Sequence, residues 1–513
     1  MRSLTPSDDV VDVRTQERRA ELQRWQLFAA VMFLTVVAGY VAMGTAPAGF
    51  SVALLGLIVA CTAAFIRPAV GVHIIVFFSL LGDDVVTTWY PFTKNMSSQE
   101  SMFFVADAFS FTPLEMVLVA TCVSLILRAI AADDWRLTRG VLMRPMLVLL
   151  AFVLFGFVKG YLTGHDRNIA VFEMRPLLYL PVLYVLITNV FTEQRQYRIT
   201  VVLAVIAMGI QSVFALGYWR GLSPNVRGDL EDLGEHTSAV TQAFVFLLII
   251  CLIAFVGTRW KKWAMVPLLV PMVIAFVLAQ RRAGMVSLFI GIIVMFAVLY
   301  VRNRRRFWHI APAFAFLALV VVIGTWGASG GLGLPANAVK TVFFPDQLES
   351  ADESSNLYRQ IEAYNIWFTI RASPLTGFGF GQPFIVVQQM PDISQFEYWQ
   401  YLPHNSVLWV WIKLGFFGFV TMLYLFGRAI QRGARTAREI TRPDDLAMVV
   451  AAFGFLIMFL VFAYVDIGWS IRPAVMLAVC FALSADFAGL APGTDRLPAV
   501  PRRRPRLLAT RTS

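Results

Sequence analysis

Apolar runs of about 20 residues recur along most of the chain, from about Trp25 to residue 487. Hydrophobic residues make up 58% of the 513 residues and charged residues only 15%, whereas ordinary globular domains carry about 25% charged residues. Each run is long enough to cross a bilayer as a helix. Because lipid offers backbone groups no hydrogen bonds, such runs must be helical. The sequence therefore predicts an all-α, polytopic membrane protein.

Hydropathy windows predict about 12–14 transmembrane helices. The predicted spans are 25–44, 48–66, 69–82, 113–130, 143–161, 173–191, 199–218, 238–256, 263–280, 283–301, 308–327, 403–427, 445–465 and 468–487. On an alternating path the main arginine clusters all fall on one face, which must be cytoplasmic. The predicted divisions are a cytoplasmic N-terminal tail (1–24), N-terminal transmembrane helices (25–327), a large extracytoplasmic loop (328–402), C-terminal transmembrane helices (403–487) and a basic cytoplasmic tail (488–513).

The formal net charge of +11 follows from the positive-inside bias of membrane proteins, so we expect no nucleic acid partner. The polar segment 1–24 does not resemble a cleavable signal peptide, and the first span is predicted to be an uncleaved anchor. The cysteines lie in apolar runs without paired spacing, which predicts neither disulfides nor a thiolate metal site. They are Cys61, Cys122, Cys251 and Cys480. We expect no metal and no cofactor.

Several cations depart from the positive-inside rule, because on the predicted path they lie outside the cell membrane or at its outer boundary. They are Lys159, Arg167, Arg175, Arg281, Arg282, Arg359 and Arg371. In "AQRRAGM", Arg281 and Arg282 occupy the whole turn between two apolar helices. Such side chains can extend to the outer phospholipid headgroups. Alternatively, they bind an anion that approaches from outside.

The loop 328–402 contains "SSNLYRQIEAYNIWFTIRASP", which predicts an amphipathic helix with Arg359 and Glu362 away from its apolar face. That face carries Leu357, Ile361, Tyr364 and Phe368. Ser354 or Ser355 is the expected cap and Pro374 the stop. We expect this helix to rest on the membrane surface. The following "PLTGFGFGQPF" predicts a tight, backbone-exposed loop.

Of the 5 histidines, His404 is predicted to open a transmembrane helix directly after Pro403, on the face that bears the outer arginines. The positive end of a helix favours the neutral imidazole. A neutral ring can accept a proton at physiological pH. Asn405 could orient the ring or a substrate hydroxyl. His236, just before the eighth predicted span, is a candidate for capping or a supporting role.

A general base beside several arginines suits attack by a hydroxyl on a carbon whose leaving group is a phosphate or pyrophosphate. The base takes the hydroxyl proton, and the guanidinium groups stabilise charge on the leaving group. Outside the cell no nucleotide sugars are supplied. The expected donor is therefore a glycan on a lipid pyrophosphate.

Three segments then resemble the O-antigen ligase and polymerase superfamily. "HNSVLWVWIKLGFFGF" resembles its His-Asn signature, "AQRRAGMVSL" its outward arginine turn, and "NLYRQIEAYNIWFTIRASPLTGFGFG" its loop helix. The resemblance covers roughly residues 170–480. It implies a GT-C-like, metal-independent, inverting glycosyltransferase of the bacterial plasma (inner) membrane. Such enzymes transfer a glycan from undecaprenyl pyrophosphate to a glycan or lipid acceptor.

The resemblance also implies residue roles. By motif position, His404 is the catalytic base, and Arg282 and Arg359 hold the pyrophosphate. Arg281 is an extra neighbour that the family pattern does not require, and Arg175 is a weaker candidate for the same site.

Lys413 departs from the family pattern, which often has an acidic residue there. Nine positions past His404 place it about 14 Å into the membrane. Intramembrane lysines usually face a cavity or a partner. It either adds a cation near the lipid phosphates or pairs with an acid, for which the candidates are Glu115, Glu173 and Asp466.

Three functions are compatible with these features. A ligase would attach finished polysaccharide to a cell-envelope acceptor, and a polymerase would extend one lipid-linked glycan with another. A transporter or flippase would use the arginines to line a path for an anionic substrate. A transporter would favour charges and Gly/Pro breaks near mid-membrane in paired halves. The candidate residues cluster at one face instead, which favours the transferases.

Overall fold

A computed structural model describes residues 48–88, 90–106, 109–131, 140–164, 166–223, 233–256, 266–328, 330–347, 350–391 and 398–490. Within these ranges the chain is built of α-helices and a few 3-10 turns, and no β-strand forms. The helices are α1 Ala48–Ile66, α2 Pro68–Leu81, α3 Pro113–Ala131, α4 Met143–Leu162, α5 Arg167–Val190, α6 Gln194–Gly221, α7 Ser238–Val256, α8 Val266–Leu278, α9 Arg282–Arg302, α10 Arg304–Gly324, α11 Leu334–Phe343, α12 Ser350–Ala372, α13 Ser406–Glu439, α14 Pro443–Val465 and α15 Ile471–Ala485.

The predicted spans correspond to these helices. Among the described residues, 9 helices are long and apolar enough to cross a membrane, and α1, α2, α8 and α15 are shorter apolar helices. Every predicted span has a counterpart except 25–44, which lies outside the described residues, as does the tail 1–24. The all-α, polytopic prediction is confirmed. The third predicted span, 69–82, is shorter than the others, and its helix α2 has only 14 residues.

Helix α14 lies at the centre of the bundle, where it packs against α7, α9, α13 and α15. In the most apolar stretch of α14, 83% of the residues are buried, whereas none is buried in the corresponding stretch of α10. Helix α10 therefore lies at the periphery. Small residues allow close helix contact in membranes. A Cβ on Gly291 of α9 would clash with the Met458 side chain of α14.

The loop helix α12 differs from its prediction at one end. It begins at Ser350 rather than after a cap at Ser354 or Ser355. Acidic residues near the N-terminus are favourable there, and Glu353 falls in this first turn. The helix ends at Ala372, as the following Pro374 predicts. Its protein-facing side buries Glu362 together with Ile366 and Ile370, whereas the predicted apolar face is largely exposed. Its exposed residues are Leu357, Tyr364 and Phe368.

The middle of the segment "PLTGFGFGQPF", Gly377 and residues 379–381, is buried, so the prediction of a backbone-exposed loop is wrong for these residues. It enters the bundle between α4 and α13, where Phe378 N–H donates to the Ile412 carbonyl (2.6 Å) and Phe380 N–H to the Gly156 carbonyl (3.1 Å). Helix α13 breaks beside it at Gly415, whose φ of 72° favours glycine. At membrane depth, backbone outside a helix is tolerated where the protein satisfies its hydrogen bonds. The glycines allow that close approach.

Candidate active site

Polar groups converge at one end of the bundle, where α12 packs against α13. His236 precedes α7, Arg281 caps α9, and Asp466 caps α14. The rings of His236 and His404 lie 6.5 Å apart between centroids. On the predicted path this end faces away from the cytoplasm. The predicted site residues on three distant segments therefore share one surface.

His404 is held by a buried carboxylate on the loop helix. Glu362 Oε2 accepts the His404 backbone N–H (2.9 Å), and Oε1 lies 3.2 Å from the ring Nδ1. An ionised carboxylate only accepts hydrogen bonds, so Nδ1 carries the proton. The other nitrogen, Nε2, has no hydrogen-bond partner among the described residues. His404 therefore presents a basic nitrogen to the site.

The structure corrects two predictions at this helix start. Helix α13 begins at Ser406, so Pro403 and His404 precede it and Pro403 is not in its first turn. Asn405 is the N-cap, and its Oδ1 accepts the Leu408 N–H (3.0 Å). The Asn405 side chain therefore caps the helix instead of orienting the His404 ring. Capping prevails because an amide oxygen at this position satisfies an otherwise unpaired backbone donor.

His236 is held differently from His404. Its Nδ1 lies 3.3 Å from Asp466 Oδ1, and its Nε2 lies 3.1 Å from Arg281 Nη2. A guanidinium can only donate, so Nε2 accepts and Nδ1 carries the proton. The basic nitrogen of His236 is therefore already engaged by Arg281. His236 thus contacts Arg281 and Asp466, and its supporting role stays a prediction.

Asp466 joins these groups. It is 1% exposed, it accepts the Ile467 N–H (2.8 Å), and its Oδ2 lies 3.5 Å from Arg281 Nη1. Burial alone would raise the pKa of the Asp466 carboxyl. Arg281 and His236 more than offset that effect and hold the pKa well below its usual range. Asp466 is therefore a permanent anion, and Arg281 is the cation that compensates it.

The two arginines at the family positions lie in different surroundings. Arg282, the first residue of α9, donates from Nη1 to Thr341 Oγ1 of α11 (3.0 Å). Arg359 lies three residues before Glu362 on α12, and its Nε is buried without a hydrogen-bond partner among the described residues. A buried unsatisfied donor is unusual in a folded protein. A bound anion would satisfy it.

Arg175 lies apart from these groups. Its Nε is 2.7 Å from Glu115 Oε1, and its Nη2 donates to the Ser110 carbonyl (2.5 Å). Its side chain is only 7% exposed. Through its contact with Glu115, Arg175 joins α5 to α3. Neither of these contacts joins Arg175 to the cluster around His404.

Lys413 pairs with Glu173, which decides among the three predicted acidic partners. The two charged groups are 2.7 Å apart and almost fully buried. Lys413 Nζ also donates to the Gln382 carbonyl (2.6 Å), and Glu173 accepts the Gly381 N–H (2.6 Å). The ion pair thus fixes the buried glycine-rich segment between α5 and α13. This geometry supports a structural role.

A second ionic cluster lies beside the first, and sequence reasoning did not identify it. Arg472 is buried, with Nη2 2.5 Å from Asp83 Oδ2 and 3.6 Å from Glu235 Oε1. The hydroxyls of Thr237 and Ser470 lie 2.8 Å apart, and both donate to Glu235 Oε2. The sequence could have indicated this cluster, because its acids, Asp83 and Glu235, lie at the outer ends of predicted spans. Among the described residues no group of three or more His, Cys, Asp or Glu is arranged to hold a metal ion.

Fold and site together define a polytopic helical membrane protein with a buried carboxylate, histidine and arginine cluster at one end. A family model described as O-antigen ligase matches residues 267–423, which include Arg281, Arg282, Arg359, Glu362 and His404. An O-antigen ligase of Salmonella typhimurium is 26% identical over 123 residues. That match covers 22% of this chain and 30% of the relative's length. The two findings confirm the predicted resemblance to the O-antigen ligase superfamily.

Proposed function

We propose that the protein is a membrane glycosyltransferase that moves a glycan from a polyprenyl pyrophosphate, such as undecaprenyl pyrophosphate, to an acceptor hydroxyl. The reaction takes place at the outer side of the bacterial plasma membrane, with both termini in the cytoplasm. The observation that carries this proposal is the geometry of His404, whose Nδ1 faces buried Glu362 and whose Nε2 is open. The family match supports a ligase as the particular transferase.

The chemistry follows from the donor and acceptor capacities of the side chains. His404 Nε2 removes the acceptor hydroxyl proton as the oxygen attacks the anomeric carbon of the donor glycan. The bond from that carbon to the pyrophosphate oxygen breaks, and polyprenyl pyrophosphate leaves. Attack from the side opposite the leaving group inverts the anomeric configuration.

The arginines stabilise the charge that develops on the leaving group. Arg282 and Arg359 are the proposed pyrophosphate ligands, because each presents a planar fork that matches phosphate oxygens. The buried, unsatisfied Arg359 Nε supports this role. Arg281 adds charge at the edge of the site, although Asp466 already compensates part of it.

A polymerase would use the same chemistry with a second lipid-linked glycan as the acceptor. The match to a protein described as an O-antigen ligase favours a ligase. The glycan profile of a deletion strain separates the two. A ligase defect leaves long polymer on the carrier lipid, whereas a polymerase defect leaves single repeats.

The test of the base is the variant His404→Gln, assayed for glycan transfer in proteoliposomes with purified lipid-linked donor. Glutamine keeps hydrogen-bonding capacity but cannot accept a proton at neutral pH. Because a general base contributes about 10²–10⁴-fold to rate, transfer should fall by that factor with donor binding and melting temperature unchanged.

His309→Gln is the matched control, because His309 is exposed on peripheral α10 and should retain wild-type activity. A thermally normal His404→Gln protein with activity within a fewfold of wild type would exclude the base role, and with it this mechanism.

A further inference from the structure

We propose that Glu362 is the positioning residue of the base, an inference that rests on the proposed function. Glu362 fixes which nitrogen of His404 accepts the proton and stabilises the imidazolium that then forms. It contributes from the loop helix α12, whereas His404 belongs to the segment that precedes α13. The loop helix is thereby a part of the catalytic machinery as well as a ligand for the donor.

The first argument is the bidentate contact. One carboxylate oxygen holds the His404 backbone N–H (2.9 Å) and the other faces the ring Nδ1 (3.2 Å). Fixing backbone and ring from a single carboxylate restricts rotation of the imidazole. It also assigns the tautomer with the proton on Nδ1, which leaves Nε2 as the proton acceptor. A ring in the opposite tautomer would present a donor to the acceptor hydroxyl.

The second argument is charge compensation. Glu362 is 2% exposed, and among the described residues its ion-pair partner is His404. Asp466 also faces a histidine, but Arg281 already compensates it. A buried carboxylate without a permanent cation favours a positive neighbour. Glu362 gains such a neighbour when His404 takes the proton, so the buried charge favours the protonated state that the reaction produces.

Other aromatic and charged groups also lie near His404. The Tyr358 ring packs edge-on against it at 5.5 Å, and the His236 ring lies 6.5 Å away. Arg359 lies one turn from Glu362 on α12, and Asp466 is close enough to interact with His404 electrostatically. A substitution at Glu362 alone leaves the identity of each of these groups unchanged. A change in the pH profile of a Glu362 variant therefore reports the lost carboxylate.

The test is Glu362→Gln, which keeps the side-chain size and an acceptor for the backbone N–H but removes the charge. We expect kcat to fall about 10²–10⁴-fold while KM for the lipid-linked donor stays within a fewfold. The acid limb of the pH profile of kcat should shift to lower pH, because the negative charge beside His404 is lost. Glu353→Gln, on an exposed part of the same helix, should match wild type in both measurements.

A double variant separates positioning from general structural support. If Glu362 acts through His404, then His404→Gln with Glu362→Gln should be no slower than His404→Gln alone. If the double variant is slower than His404→Gln alone by the same factor by which Glu362→Gln slows the wild-type protein, the proposal is overturned. A single Glu362→Gln protein with wild-type kcat and an unchanged acid limb would also overturn it.

The failure of this proposal differs from failure of the proposed function. An inactive His404→Gln protein beside a fully active Glu362→Gln protein leaves the function intact and removes only the positioning role. An active His404→Gln protein removes the function itself. If Glu362→Gln does not fold, Glu362→Asp carries the test, because it keeps the charge. We then expect reduced kcat with the acid limb at its wild-type pH, and a shifted limb would overturn the proposal.

Discussion

At the scale of single residues, Glu235 is an incompletely compensated acid near the candidate site. It shares Arg472 with Asp83, but Asp83 lies closer to that guanidinium, at 2.5 Å against 3.6 Å. Burial is the largest influence on Glu235 and raises the pKa of its carboxyl to about 7, although Arg472 opposes that shift. Part of the Glu235 population is therefore protonated at neutral pH. It lies one residue before His236, at the edge of the proposed donor site.

This pKa predicts a pH dependence of stability. A folded-state pKa above the unfolded value means that the folded protein binds more protons, so its contribution to stability is lost as pH rises from about 4.5 to 7. Glu235→Gln cannot ionise and should lack that loss. Melting temperatures measured in detergent from pH 5 to pH 8 should fall less for the variant than for wild type. Parallel curves for the two proteins would contradict the raised pKa.

At the scale of elements, the buried pair of Lys413 and Glu173 joins α13 to α5 and holds the glycine-rich segment between them. The glycine-rich segment joins the end of α12 to the region before His404, and this pair holds it by the Gly381 N–H and the Gln382 carbonyl. Glu362 and His404 come from the two elements that flank the segment. Their contact therefore depends on a segment whose position is fixed inside the bundle.

Replacing Lys413 should show this dependence. Lys413→Met leaves Glu173 buried without its cation, and removal of one partner of a buried ion pair costs about 3–5 kcal/mol. The double variant Lys413→Met with Glu173→Gln removes both charges and keeps an acceptor for the Gly381 N–H. We expect melting temperatures in the order wild type, double variant, single variant. A single variant as stable as wild type would show that the pair does not hold the segment.

The positions of the helices could be predicted from the sequence, whereas the contacts between them could not. The helix positions follow from hydropathy, which is a local property, and α1 and α7 coincide with the predicted spans 48–66 and 238–256. The partner of Lys413 was open among three acids, because spacing within one helix does not determine which neighbouring helix faces it. Burial of the glycine-rich segment was missed because polar and glycine residues favour exposed turns in soluble proteins. In a bundle they instead allow backbone contact.

At the scale of the whole molecule, the site is made by residues that are distant in sequence. His236 and Asp466 are separated by 230 positions, and Glu362 and His404 by 42. The arginine rule predicted that their segments share one face of the membrane, which is a topological statement. It did not predict which side chains meet there. Glu362 was placed away from the apolar face of its helix, and only the packing of α12 shows that His404 occupies that side.

The absolute orientation of the bundle follows from charge. Arg302 ends α9 and Arg304, Arg305 and Arg306 begin α10, and α12 lies on the opposite side of the predicted path. Cysteines introduced at Arg305 and Glu353, both exposed, should therefore differ in reaction with a membrane-impermeant thiol reagent. On intact spheroplasts Glu353→Cys should be labelled, and Arg305→Cys should be labelled only after permeabilisation. The unaltered chain, whose cysteines lie within helices, gives the background. Labelling in the reverse order would put His404 in the cytoplasm, where nucleotide sugars are available, and would remove the reason to expect a lipid-linked donor.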